Sequence, residues 1–233
     1  MIYYDHFSAN PHAKMTKIGS MLVTYRNRWF IKKILRFLPS GGQVLEIGPG
    51  KGGFARACHE KKITYQAVEA NKALAEELRK EGFSVKTGAV PPIPMEGLFD
   101  VVFMDQVLEH MPNAKTTLEL LESCHLRLKK NGKLIIAAPD YSIFKEDFFN
   151  CDYSHEFPVS TERLRQILED SGFNIIEIGY FTLTLNGYIP CLIAAIIAKV
   201  AWKTGMLSLF FGSRAYKIKI STLPSVYAIA VKK

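Results

Sequence analysis

The sequence is poor in the features that mark secreted, metal-clustered or membrane-spanning chains. Its four cysteines, Cys58, Cys124, Cys151 and Cys191, are widely spaced and form no CxxC pair. That argues against a disulfide framework or a zinc site and for reduced thiols in a cytoplasmic protein. No apolar run reaches the roughly 18 residues expected of a spanning helix. The longest candidate, Tyr188 to Phe211, is interrupted by Lys199, Lys203 and Gly205. The opening MIYYDHFSANPHAK lacks the basic-then-apolar pattern and small-residue cleavage site of a signal peptide. Asp100, Asp105, Asp140 and Asp147 are scattered, and no His/Asp spacing on one helix suggests a ligand set, so no metal is expected. Internal repeats and low-complexity segments are also missing.

What is present is globular. The 233 residues are 48% hydrophobic and 22% charged, enough to bury a full α/β core. The formal charge of +8 favours anionic partners: nucleic acid, an anionic membrane face or a phosphorylated substrate. Residues 1–40 read as a polar lead and a basic helix around Val23–Phe37, a segment or lid that Pro39-Ser-Gly-Gly terminates. From residue 41 to 233 short β-rich runs alternate with helical patterns. The runs are Val44–Ile47, Tyr65–Val68, Ser84–Lys86, Val101–Met104 and Leu134–Ala137. Between them fit a helix over Lys72–Glu81 capped by Asn71, a leucine-rich helix ending near Asn131-Gly132, and a helix over Thr161–Ser171. Such alternation predicts a Rossmann-like, seven-stranded, mostly parallel sheet between helices. Asn174–Tyr180 and Ser225–Val231 are the last two strands, the final one antiparallel, with an apolar helical insertion at about 182–222 between them.

The segment VLEIGPGKGGF carries the most chemistry. A buried strand runs into Gly48, Gly50 and Gly52 and a helix opens at Phe54. Glycines permit a sharp turn and close approach of a ligand to the backbone, and a helix N-terminus offers free N–H groups. Glu46 sits inside the strand, where an unpaired charge costs several kcal/mol, so it needs a partner. Glu69 ends the next strand, placed to accept hydrogen bonds from the ribose hydroxyls of an adenosine cofactor or else to cap the helix beside Asn71. Gly48, Gly50 and Gly53 also spell GxGxxG, so a dinucleotide enzyme is a competing reading.

In this order the motifs resemble the class I S-adenosylmethionine-dependent methyltransferases. The resemblance spans about Leu35 to Tyr180 plus the last strand: VLEIGPGKG, VEANKALAEEL, FDVVFMDQVLEHM and LKKNGKLIIAAP each match a family segment. It implies S-adenosylmethionine as cofactor. Glu46 would lie near its amino-acid moiety, and the backbone from Gly48 and Pro49 through Gly50 to Gly52 would face it. Glu69 and Ala70 would meet the ribose, Ala89 and Val90 border the adenine, and Asp105 and Gln106 line the methyl-donor side. The family's acidic residue after the third strand is absent from TGAVPPIP, which leaves adenine recognition to backbone groups.

Methyl transfer to a hydroxyl needs alignment and a base. Asp152, His155 and Pro158 match a run found in methyltransferases associated with bacterial surface-glycan synthesis. His155 is the candidate base or a loop-holding residue, and Asp152 would orient its ring or bind the acceptor. His110 is a second candidate, or a histidine packed at a helix start. In the insertion, Lys199 and Lys203 share a helical face. The segment over 188–211 is either a buried cap or an interfacial helix whose lysines reach anionic headgroups, helped by Arg26, Arg28, Lys32, Lys33 and Arg36. No RNA-binding module is recognisable, and nucleic acid is not expected. The expectation is O-methylation of a glycan, a lipid-linked sugar or another amphiphilic metabolite, by a cytoplasmic protein with peripheral membrane contact. A quinone or lipid ring methyltransferase and a non-catalytic cofactor-binding module are the alternatives.

Overall fold

The computed structural model describes residues 17–233; the N-terminal lead, on which the signal-peptide reading rested, lies outside them. Seven strands make one sheet: β1 (Gln43–Ile47), β2 (Thr64–Glu69), β3 (Val85–Thr87), β4 (Phe99–Asp105), β5 (Leu128–Pro139), β6 (Phe173–Phe181) and β7 (Ser225–Lys232), in the order β3-β2-β1-β4-β5-β7-β6. Only β7 runs against the rest, paired antiparallel with β5 on one side and β6 on the other. The central strands β1 and β4 are apolar on both faces because helices cover both. Leu45, Ile47, Val102 and Met104 pack into one layer, whereas Val44, Val101 and Phe103 pack into the other.

Helix α1 (Lys17–Leu35) belongs to that second layer. Phe30 and Ile34 are wholly buried, and Trp29 and Phe30 stand against Phe103, Phe181 and Tyr227. Four of its basic residues pair with acidic groups of the domain, although Arg28, Lys32 and Arg36 remain exposed. Arg26 pairs with Asp105 at 2.7 Å and Arg28 with Glu60 at 3.3 Å, while Lys33 and Arg36 share Glu177.

Helices α2 (Gly53–Glu60) and α3 (Lys72–Lys80) follow β1 and β2, with the Asn71 side chain accepting from the Leu74 N–H at the start of α3. Helix α4 (Ala114–Arg127) ends before the expected Asn131-Gly132 stop. Leu128, placed in a helix by its period, starts β5 instead and pairs with Phe99, fully buried. Sheet pairing outweighs the local helical pattern there. Two short helices, α5 (Tyr141–Phe144) and α6 (Asp147–Asn150), lead to α7 (Thr161–Asp170), which the Ser160 side chain caps.

The insertion between β6 and β7 holds α8 (Tyr188–Lys203), α9 (Met206–Phe211) and α10 (Ala215–Thr222). Helix α8 buries its small residues, Cys191, Ala195, Ala198 and Ala201, and turns its large ones outward. Ile193, Ile196, Ile197 and Val200 are each more than half exposed, and Leu209 and Phe210 of α9 more so. Lys199 does not reach outward as expected; it is half-buried and donates to the Ile143 carbonyl. Lys219 in α10 makes a buried ion pair with Asp147 at 2.6 Å and lies over the Trp202 ring. Among the described residues no single helix is long and apolar enough to cross a membrane. Tyr188–Lys203 and Met206–Thr222 reach that length and composition only as a pair bent by 82°.

Candidate active site

A cavity of about 700 Å³ opens over the carboxyl ends of β1, β2 and β4, where open α/β sheets bind ligands. Glu46, Gly48, Pro49 and Gly50 line one part of it, Glu69, Ala70, Ala89 and Val90 the next, and Asp105, Gln106, Asp152 and His155 the far part. Of the residues the sequence nominated, Gly52 alone is not in the lining. It caps α2 with φ 72°, and a Cβ there would come within 2.2 Å of Leu78 Cδ2. Its glycine is required by packing behind the loop, not by a ligand in front of it. At Gly50, with φ 53°, a Cβ would meet nothing within 4 Å, so its backbone borders open space.

Glu69 binds the loop to the second strand. One carboxylate oxygen accepts from the Gly50 N–H at 2.9 Å and the other from the Asn71 N–H at 2.8 Å. Burial raises its carboxyl above the usual range, against those backbone donors. Glu46 finds its partner inside the chain, accepting from the Tyr65 hydroxyl. Burial pushes Glu46 up to about 8, with Tyr65 opposing the shift and Asp105 and Glu69 adding to it. Asp105 is raised by burial and held back by Arg26. The cavity therefore gathers three strained carboxyls, which a cationic ligand would relieve. Arg26 Nε is buried there with no hydrogen-bond partner among the described residues, an open donor for an anionic group.

The far end is built by two segments more than forty residues apart. Strands β4 and β5 pair in parallel, Asp105 opposite Ala137, so the turns that follow them meet above the sheet. The Glu109 carbonyl accepts from the N–H groups of Glu156 and Phe157, at 2.9 and 3.0 Å, and clamps the two segments together. Asp152 does not orient His155. Its carboxylate accepts from the Ser154 N–H and hydroxyl, at 2.9 and 2.6 Å, and Ser154 in turn meets His110 Nδ1 at 3.0 Å. The Asp152 carboxylate is thus linked through Ser154 to the His110 ring. His155 Nδ1 faces the Phe148 carbonyl at 2.6 Å, the loop-holding contact that its sequence context also allowed. Its ring lies 4.9 Å from that of His110, and both border the cavity. Burial and the neighbouring His155 push His110 down to about 4, and burial lowers His155, so both imidazoles are neutral at pH 7. Glu109 was not anticipated. It is fully buried, it lines the cavity, and among the described residues neither carboxylate oxygen has a hydrogen-bond partner.

The methyltransferase-domain family model matches residues 22–178 of this chain. The chain belongs to that family. It is an enzyme of the class I S-adenosylmethionine-dependent methyltransferase superfamily, and this sets aside both the non-catalytic module and the dinucleotide reading. Its fold is shared with solved methyltransferase structures. An S-adenosylmethionine-dependent methyltransferase from Archaeoglobus fulgidus is 24% identical, with 99% of this chain and 100% of that chain covered and a TM-score of 0.62. Magnesium protoporphyrin IX methyltransferase from Synechocystis PCC 6803, solved with its methyl donor bound, is 14% identical, covered 92% and 79%, at a TM-score of 0.56. A phosphoethanolamine N-methyltransferase from Haemonchus contortus is 20% identical, covered 95% and 58%, at 0.59. No curated protein matches significantly.

S-adenosylmethionine is the methyltransferase's cofactor, and the cavity fits it. The open backbone at Gly50, the buried carboxyls and the unpartnered Arg26 Nε suit a ligand that carries a sulfonium, an ammonium, a ribose and a carboxylate. Glu69→Ala is expected to weaken S-adenosylhomocysteine binding about ten- to a hundred-fold, the loss of charge-assisted hydrogen bonds of about 1.5–3 kcal/mol. Glu69→Gln keeps a carbonyl acceptor and should lose less. Calorimetry on the folded variants checks this, and unchanged affinity in both removes Glu69 from the site.

Proposed function

We propose that this methyltransferase methylates a hydroxyl oxygen on an amphiphilic acceptor such as a lipid-linked sugar or surface glycan. The observation that carries the reading is a single cavity with the glycine loop at one end and two adjacent histidines at the other. The cofactor supplies an electrophilic methyl group. Gly48–Gly50 and Arg26 hold its amino-acid end, Glu69 and Ala70 its ribose, Ala89 and Val90 its adenine, while Glu46, Asp105 and Gln106 border its charged centre. His155 Nε2 takes the acceptor proton as the oxygen attacks. His155 Nδ1 faces a carbonyl and so carries the proton, which leaves the lone pair on Nε2.

The acceptor's apolar part is served by α8 and α9, whose outward isoleucines, Leu209 and Phe210 share the insertion with the exposed cations Lys203, Arg214 and Lys217. The same surface suits a quinone or lipid ring, so acceptor identity rests on product analysis. Membrane extracts incubated with labelled cofactor should yield a product that gains one methyl group, and a label confined to water-soluble species sinks the amphiphile reading. The protein should also sediment with anionic liposomes, driven by about 25 cal/mol per Å² of apolar area buried. Ile193→Asp/Ile197→Asp should abolish that while cofactor binding persists. A wild type that ignores the liposomes removes the membrane contact.

A further inference from the structure

We propose that Glu109, His110 and His155 form a binding site for one divalent transition-metal ion at the acceptor end of the cavity. Among the described residues these three side chains each offer a ligand atom, all within 4.8 Å of one another. An ion bound at about 2.0–2.2 Å holds its ligand atoms roughly 3–3.5 Å from one another, so the three side chains must close by about 1–2 Å at most, a movement that side-chain torsions supply.

Three observations favour an ion over simple packing. Glu109 has 0% exposure and, among the described residues, neither of its oxygens has a hydrogen-bond partner, so the buried carboxyl lacks the close partner that burial calls for. Both histidines are oriented as ligands usually are, with the other ring nitrogen fixed by an outer partner. His155 Nδ1 donates to the Phe148 carbonyl, and His110 Nδ1 lies 3.2 Å from the Ser154 carbonyl. The Ser154 hydroxyl gives its own proton to Asp152, so it too accepts from His110 Nδ1. Each imidazole thereby keeps its lone pair on Nε2. The cluster also lines the cavity, which leaves coordination positions open to an incoming group. Two imidazoles and one carboxylate suit zinc, cobalt, manganese or ferrous iron better than calcium or magnesium.

The catalytic part of the inference rests on the proposed hydroxyl acceptor; the binding part does not. A bound ion would be held by the two imidazoles and Glu109 and, in place of His155 as base, would supply the acidification of an acceptor hydroxyl. Its proton passes to solvent, the oxygen lone pair forms the new O–C bond, and the C–S electron pair returns to sulfur.

The test is titration of the chelator-treated full-length protein with Co²⁺, followed by its visible absorption, with Zn²⁺ as competitor. One saturable Co²⁺ site displaced by Zn²⁺ is expected. Glu109→Gln and His155→Ala should lose it, and Ser154→Ala should weaken it about ten- to a hundred-fold. Cys151→Ser, which changes the thiol nearest His155, should bind as wild type. Glu109→Gln should keep or raise the melting temperature of the metal-free protein, because it removes a buried, unpartnered carboxyl. Absence of a one-equivalent site, or undiminished binding in His155→Ala, overturns the proposal. A failed titration alongside a turnover defect in His155→Ala overturns the ion and leaves methyl transfer standing. A positive titration without a methylated hydroxyl does the reverse.

Discussion

Alanine at position 155 is expected to lower turnover by about 10²–10⁴-fold while S-adenosylhomocysteine binds as in the wild type, the range that a positioned base contributes. The two readouts separate because His155 lies at the far end of the cavity from the glycine loop and Glu69. A purely structural effect must also be separated, since His155 holds the Phe148 carbonyl. His155→Asn places an amide N–H where Nδ1 stood, and so retains a donor for that carbonyl, but supplies no comparable base. If asparagine restores turnover on the acceptor, the imidazole only fixes the loop. If both variants stay slow and bind cofactor normally, its chemistry is required.

The second large effect is on stability. Lys219→Met should destabilise the protein by about 3–5 kcal/mol, the range for stranding one partner of a buried ion pair. Asp147 is 4% exposed and Lys219 6%, so water cannot take the place of either. The double variant Asp147→Leu/Lys219→Met should recover most of the loss, because an apolar pair leaves no isolated charge behind. Denaturant midpoints of the two variants check this. Equal loss in both would mean that the aromatic contacts around Lys219, not its charge, hold α10 in place.

The cofactor half of the molecule was legible in the sequence because its signals are local. The run from Val44 to Phe54 is contiguous, and Glu69 closes a strand whose alternation is short and unambiguous. The acceptor half was not. Glu109, His110 and His155 are brought together by the parallel pairing of β4 with β5 and by the Glu109 carbonyl clamp, which no spacing along the chain reveals. The hydrogen-bond link from Asp152 through Ser154 to His110 could not be read from spacing, because Ser154 carried no signal of its own. Arg26 was read as part of a cationic surface; that it turns inward follows from Phe30 and Ile34 being core, which fixes the helix's rotation. The boundary misplaced at Leu128 arose where a helical period and a strand partner compete for the same leucine. The insertion's apolar content was plain in the sequence, but which face it shows to solvent was not. That face is set by the small residues Cys191, Ala195 and Ala198, which let α8 lie close to the domain.

Phe181 and Ser225 are register partners in the β6–β7 pair, although residues 182–224 separate them in the chain. Antiparallel neighbours of this kind are closed elsewhere by turns of about 2–5 residues. The sheet itself therefore does not require the insertion, which hangs from it as a graft at one joint. Its firm attachments run to the segment that carries Phe144, Phe148 and Asp147, next to His155, and not to the glycine loop. Exchange of residues 182–224 together with 140–158 between relatives would then transplant acceptor preference as a unit and leave the methyl-donor pocket intact. Descent can thus diversify what this scaffold modifies while the donor machinery is inherited unchanged.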